Sequence, residues 1–383
     1  MIKGSLQTEL NTYFQQKNNR KYPKRQVTAS AFCRARQKFS ESAFIELNHQ
    51  ITQQFYDESF HKKWLGFRVL AVDGSKYLLP DNASIYDTYG GMTNQFEKKI
   101  PMALGSCLYD VFQGLILDSR LTIYKGDERD LAYHHMAYSH KKDLTLYDRG
   151  YPAFWLFAAH QDKGSHFCMR VRTSFNKETK AFAHSNKKQE IVVLKASNQM
   201  KVACKEKGVS SDDILVRLLR IKTTKGEYIL ITNLLNKRRY PLKAFKELYH
   251  LRWQIEEGYK KQKNWLEMEN FTGRSVLAIK QDFHARVLCQ TLGAITACSA
   301  QGAINDAVQG RLLSYKINFV ATLSAMKNTV IHLLFNTLSC EEIKQWLFSI
   351  GQELSPIREN RSFTRKKKVT DRHKYHMAYK RSS

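Results

Sequence analysis

Two apolar runs that each stop at an aspartate constrain this chain more than any other feature. "FRVLAVDGS" carries Asp73 and "DLTLYDRG" carries Asp148. Short apolar runs bounded by turn residues read as strands. An acid at the end of such a run must be hydrogen-bonded, ion-paired or metal-bound to be tolerated there. Between the two runs, "MALGSCLYDVFQGLILDSRLTIY" holds two more strand-like segments joined around Gln113-Gly114, and "DERDLAYHHMAYSHK" reads as a helix. Residues 64–148 therefore read strand, hairpin, helix, strand, an α/β pattern. Either aspartate taken alone is more commonly a turn initiator after a strand.

A third acid comes from "YHLRWQIEEGYKKQK", residues 249–263. At about 100° per residue, a helix here places Tyr249, Arg252, Glu256, Tyr259 and Lys263 within an arc of about 80°. Leu248, Ile255 and Leu266 cluster beside that arc, so it borders a buried face. Glu257 is rotated about 100° away, toward solvent. Three carboxylates from two strands and a helix suit hard divalent cations, which prefer oxygen ligands. Two such ions about 3.5–4 Å apart can activate the attacking oxygen of a phosphodiester displacement and stabilise the leaving one. The neighbouring bases would position phosphates that the carboxylates repel. Arg149, beside Asp148, reads either as a phosphate contact or as a partner for the carboxylate. Lys260 and Lys261 lie at the edge of the arc or off it.

The charge agrees with a polyanionic partner. There are 62 Lys and Arg against 35 Asp and Glu, a formal net charge of +27, which favours nucleic acid over an anionic membrane. The apolar stretches near 285–300 and 317–338 are interrupted by polar residues such as Gln290, Asn328 and His332, so they read as buried helices, not membrane spans. No secretory signal opens the chain, and a cytoplasmic location is expected. The seven cysteines show no CxxC pattern; they read as reduced, mostly buried thiols, and a structural zinc is not expected. "AYHHMAYSH" reads as helix surface.

Elsewhere, residues 1–62 look helical and basic, with Thr28 or Ser30 able to cap "AFCRARQKF". "PAFWLFAAHQDKG" reads as a helix with Pro152 at its first position. "EIVVLKA", "MKVACKE", "ILVRLLRIKT" and "EYILITNLL" read as strands of a β-rich insertion, and Pro241 reopens helix. "RSFTRKKKVTDRHKYHMAYKRSS" reads as a basic tail that adds non-specific affinity for a polyanion.

Tyr249, Arg252, Glu256 and Lys263 together resemble the Y-x2-R-x3-E-x6-K signature of DDE insertion-sequence transposases, in the group named after insertion sequence four. "VDGS" resembles that family's first-aspartate block, "YDRGY" its second, and "YILITNLL" the strand before the glutamate helix; the four blocks occur in order across roughly residues 28–290. The resemblance implies a ribonuclease H-like catalytic core with a β-rich insertion, flanked by helical N- and C-terminal regions. In these terms residues 1–62 are a helical, possible DNA-binding region, 63–172 the first part of the core, 173–236 the insertion, 237–300 the second part with the catalytic helix, and 301–383 a helical region with a basic tail. It further implies that Asp73, Asp148 and Glu256 bind two Mg²⁺ ions, with Mn²⁺ an alternative. Tyr249, Arg252 and Lys263 would contact phosphates of double-stranded DNA at the element ends. Water would first cut an element end, and the freed 3′-hydroxyl would then attack target DNA, in a homodimer that pairs two ends inside a bacterial cell. Relatives carry a Trp before the "ILxTNL" strand that stacks on a flipped base during hairpin formation. Here the residue is Tyr228, which can also stack or be an ordinary strand aromatic, so the hairpin route stays open. A ribonuclease H-like DNA nuclease without strand transfer, and a domesticated non-catalytic DNA-binding protein, are the alternative readings.

Overall fold

A computed structural model describes residues 5–58, 61–93, 97–224, 226–304 and 314–357. The chain opens with α1 (Leu6–Lys17), α2 (Ala29–Arg36) and α3 (Ser42–Glu58). It continues through β1 (Arg68–Leu78), α4 (Ala83–Tyr89), β2 (Gly91–Thr93), β3 (Lys99–Asp110), β4 (Ile116–Ile123), α5 (Glu128–His135), β5 (Asp143–Tyr147), α6 (Phe154–Lys163) and β6 (His166–Val171). Then follow α7 (Lys177–His184), β7 (Gln189–Leu194), α8 (Asn198–Lys207), β8 (Ile214–Thr223), β9 (Gly226–Thr232), α9 (Leu242–His250) and α10 (Trp253–Lys260). Last come α11 (Val276–Ile304), β10 (Ser314–Ile317), α12 (Phe319–Leu334), α13 (Cys340–Gly351) and β11 (Leu354–Ile357).

The main sheet has the strand order β2-β3-β1-β5-β6-β9-β8-β7, with β4 also paired to β3. This is the α/β arrangement that the strand, hairpin, helix, strand pattern implied. β1 and β5 are parallel, with Arg68 opposite Asp143 and Ala71 opposite Leu146, and β5 is parallel to β6. Both strands are buried on both faces where they pair, which is why their sequences read as continuous apolar runs. β9 joins β6 antiparallel, and β8 and β7 continue the sheet outward.

The described residues fall into two compact units. One takes those within 1–55, 77–103 and 261–383; the other takes those within 56–76 and 104–260. In the second unit, Arg68 donates to both carboxylate oxygens of Asp143 at 2.8 and 2.7 Å and lies 4.4 Å over the Tyr56 ring. Tyr56 in turn donates to Asp110, which also accepts the Phe112 and Gln113 N–H groups and so fixes the β3–β4 turn. In the first unit, Arg36 of α2 donates to Thr272, Gln281 and Asp282 and to the Ala278 carbonyl, tying the N-terminal helices to α11.

Several expectations are corrected. "MKVACKE" is not a strand but most of α8, capped by Ser197 and ended by Gly208 at φ +66°; serine caps and left-handed glycines are the ordinary helix punctuation. Pro152 stands before the cap of α6, Ala153, not inside its first turn. Three cysteines are buried, three exposed and one half-buried, so they are not mostly buried; none is in a disulfide. Residues 249–263 do not form one helix. Gln254 and Ile255 bond three residues back, to Leu251 and Arg252, and Leu266 bonds five back, to Lys261. The first pattern tightens the chain between α9 and α10, and the second makes a π turn over Lys261–Trp265. Thr28, by contrast, caps α2 as expected. No described helix is long and apolar enough to cross a membrane. The basic tail from residue 358 lies outside the described residues.

Candidate active site

Asp73 and Asp148 each stand two positions past the last register pair of β1 and β5, Ala71 opposite Leu146. They are therefore neighbours across the sheet. β1 does not turn at Asp73: it runs on to Leu78 while β5 ends at Tyr147, which removes the turn-initiator reading for Asp73. Its Oδ1 accepts the Gly74 N–H at 2.9 Å, and its backbone carbonyl accepts the Tyr259 hydroxyl at 2.6 Å. Asp148 Oδ1 accepts the Gly150 N–H at 2.7 Å.

Arg252 bridges the first aspartate and the glutamate. Its Nη1 lies 3.5 Å from Asp73 Oδ2, and its Nη2 donates to Glu256 Oε1 at 2.8 Å. The guanidinium is buried, and its Nε is buried without a hydrogen-bond partner. Burial pushes the Asp73 carboxyl up to about 7, with Asp148 and Glu128 adding to the rise and Arg252 and the Gly74 N–H opposing it.

Glu128 was not singled out from the sequence. It occupies the first turn of α5, where an acid is usually read as a partner for the helix dipole. It accepts from the Tyr151 hydroxyl at 3.3 Å, and burial, followed by the nearby Asp148, raises its carboxyl above the ordinary range. A Cβ on Gly74 would stand 2.8 Å from its carboxyl carbon. Glycine at 74 leaves room for this fourth carboxylate beside β1.

Among the described residues, no three acidic, histidine or cysteine side chains stand together as a ready ion site, and Arg252 pairs with two of the candidate ligands. The donor set nevertheless fits a hard divalent cation. It consists of carboxylate oxygens, one of which burial raises to about 7 with Asp148 and Glu128 adding to the rise, and a cation would offset both the burial and the repulsion.

Residues 64–292 match the family described as Transposase DDE domain. The chain belongs to the DDE transposase domain family. It is similar to the transposase InsG for insertion sequence element IS4 of Escherichia coli (strain K12), 26% identical over 251 residues, which covers 65% of this chain and 56% of that relative. The chain thus spans little more than half the length of that protein. Among solved structures it aligns with a piggyBac transposase synaptic complex with hairpin DNA, at 8% identity and a TM-score of 0.41, over 74% of this chain and 57% of that one.

The remaining expected residues of this DDE transposase domain are placed as follows. Tyr249 is buried, and its hydroxyl donates to the Tyr147 carbonyl at 3.1 Å, so it braces the strand end just before Asp148. Tyr228 lies 5.7 Å from the Tyr249 ring, with the Arg170 guanidinium 5.1 Å from its own centroid. Arg149 is exposed. Glu257 is exposed and pairs with Lys260, while Glu256 pairs with Arg252. Lys263 belongs to the other compact unit, where its Nζ is 3.7 Å from Glu269 and 4.9 Å over the Tyr77 ring. Tyr259 and Glu128 were missed as functional residues. The arc calculation did place Tyr259 beside Glu256, whereas no sequence spacing marks Glu128.

Proposed function

We propose that this chain is a bacterial insertion-sequence transposase that cuts element ends in double-stranded DNA and joins them to target DNA. The reading divides it into a core from 63–172 and 237–300, an insertion at 173–236, and flanking regions at 1–62 and 301–383. The reading is supported by Arg252, in the turn before α10, which reaches both Asp73 and Glu256, and by the register that brings Asp73 and Asp148 to neighbouring positions of two parallel strands.

Bound Mg²⁺ ions, or Mn²⁺ in their place, would supply Lewis-acid activation of the attacking and leaving oxygens. Asp73, Asp148 and Glu256 would hold them. The chain's own residues do the rest. Arg252, once released from Asp73, presents a forked donor to a phosphate. Arg149 is exposed beside Asp148 and suits the same task. Tyr249 keeps the end of β5 in place, and Tyr228, backed by Arg170, offers a ring face for a base. Lys263 adds a phosphate contact, and a homodimer holds two ends together.

Incubation of the protein with labelled element-end DNA, plasmid target and Mg²⁺ tests the reading. Joined product is expected, and Asp73→Asn, Asp148→Asn or Glu256→Gln should abolish it while end binding persists. Nicks without joining would make the chain a nuclease, and binding without nicks a DNA-binding protein.

A further inference from the structure

Asp73 is held by its peptide group as well as by Arg252. The carbonyl of Asp73 accepts two hydrogen bonds, from Tyr259 at 2.6 Å and from Ser106 at 3.2 Å. The N–H of that same peptide group, on Gly74, donates to Asp73 Oδ1 at 2.9 Å. The carbonyl and N–H of a planar peptide point in opposite directions. Clamping the carbonyl on one side therefore aims the N–H, and with it the carboxylate, on the other.

Behind Ser106 stands a buried chain of polar groups. His135 Nε2 is 2.9 Å from Ser106 Oγ, and His135 Nδ1 is 2.7 Å from Asp118 Oδ2, which Arg120 also reaches at 3.1 Å. Ser106 and His135 are fully buried and Asp118 nearly so. A serine hydroxyl has one proton. Given to the Asp73 carbonyl, it leaves Ser106 Oγ as the acceptor toward His135 Nε2, while His135 Nδ1 faces Asp118. Buried polar groups of this kind are retained only when satisfied. The expectation that "AYHHMAYSH" is helix surface is thus overturned for His135.

We propose that Asp118, His135 and Ser106, together with Tyr259, are positioning residues that set the metal affinity of Asp73 through its peptide group. The proposal rests on the reading of Asp73 as a metal ligand. Tyr259 sits three residues from Glu256 on α10, so the same bond couples the first aspartate to the glutamate helix.

The test is isothermal titration of the full chain with Mn²⁺, without DNA, alongside thermal melts. Ser106→Ala and Tyr259→Phe should each weaken Mn²⁺ binding about tenfold, as loss of an outer partner of a metal ligand typically does. His135→Asn should act in the same direction as Ser106→Ala. The Mg²⁺ concentration for half-maximal cleavage should rise in parallel, with partial rescue by Mn²⁺. Mn²⁺ affinity within twofold of wild type in a folded Ser106→Ala or Tyr259→Phe protein would overturn the proposal, even where cleavage and its loss in Asp73→Asn uphold the transposase reading. Tyr259→Phe keeps the test valid should Ser106→Ala fail to fold, because it leaves the buried chain intact. Mn²⁺ binding that is identical in wild type and Asp73→Asn would overturn both.

Discussion

Replacing Asp73 by asparagine should stabilise the metal-free protein, by an amount that grows from about pH 4 and is complete above about pH 7. An ordinary aspartate titrates near 3.9, whereas burial holds Asp73 up at about 7. That difference of roughly three units, at about 1.4 kcal/mol each, makes the folded chain about 4 kcal/mol worse at carrying the charge than the unfolded one. Two effects reduce the figure. The side chain keeps 22% of its surface, so solvent screens part of the cost, and Arg252 loses a partner that stands at 3.5 Å. About 2 kcal/mol should remain.

The direction follows from proton linkage. Asp73 has a raised folded pKa, so between about pH 4 and 7 the folded state holds a proton that the unfolded state has released. Its stabilising contribution is complete below about 4 and is lost as pH rises through about 7. Asparagine has no charge to lose. Its advantage should be near zero at pH 4, grow through the window, and level off above pH 7. At about 2.1 cal/mol/K per residue, 383 residues give an unfolding entropy of roughly 0.8 kcal/mol/K, so about 2 kcal/mol appears as a Tm increase of about 2–3 °C at pH 8. Melts with a chelator present, at pH 4.5, 6 and 8, measure it. A gain of equal size at all three, or a loss at pH 8, would refute the desolvation argument. Added Mg²⁺ at pH 8 should then raise the wild-type Tm and leave the asparagine variant unmoved.

Other expectations follow from single contacts. Glu256→Gln should abolish cleavage of an element end, whereas Glu257→Gln, whose carboxylate is exposed and pairs with Lys260, should leave it within about twofold; a dead Glu257 variant would show the glutamate assignment to be wrong. Arg68→Ala should cost about 3–5 kcal/mol in chemical denaturation, because it leaves the buried Asp143 carboxylate without its two-point partner, and a cost under 1 kcal/mol would mean that the pair contributes little. Gly258→Ala would place a Cβ 3.0 Å from the Tyr109 ring. The push on α10 should lower cleavage at least about tenfold with less than about 1 kcal/mol lost in stability, and unchanged cleavage would show that α10 yields without moving Glu256.

The fold was legible where a local pattern has one physical cause. β1 and β5 are buried on both faces, and their apolar runs show it. α8 was hidden because Met200, Val202 and Cys204 alternate with polar or small residues and mimic a strand, while Ser197 and Gly208, the true signals, flank the run. His135 was hidden because a histidine beside a histidine looks solvated; only packing puts it on the inner face of α5 with Leu131 and Ala132. No proline marks the tight turn before α10 or the π turn after it, so the helix read as continuous. Even so, Arg252 and Glu256 share a face as the arc placed them, because that needs only one turn. Lys263, inside the π turn, is the residue for which the phase calculation loses its basis.

On the proposed reading, Arg252 leaves the site able to take a cation although two of its carboxylates are already paired. A single positive charge spans Asp73 and Glu256, with Asp148 and Glu128 close enough to raise Asp73 further. It does not settle the cluster: Asp73 still sits at about 7, and the buried Nε of Arg252 finds no partner. At a given distance and dielectric, a divalent ion attracts a carboxylate twice as strongly as a guanidinium does, and it accepts several oxygens without the fixed fork. On that reading, an ion held by these residues would lower the repulsion among the carboxylates and leave Arg252 a forked donor for phosphate. The chain's large excess of Lys and Arg is consistent with this division. On the proposed reading that excess would meet DNA, and the carboxylate cluster would be left for metal and phosphate to fill together.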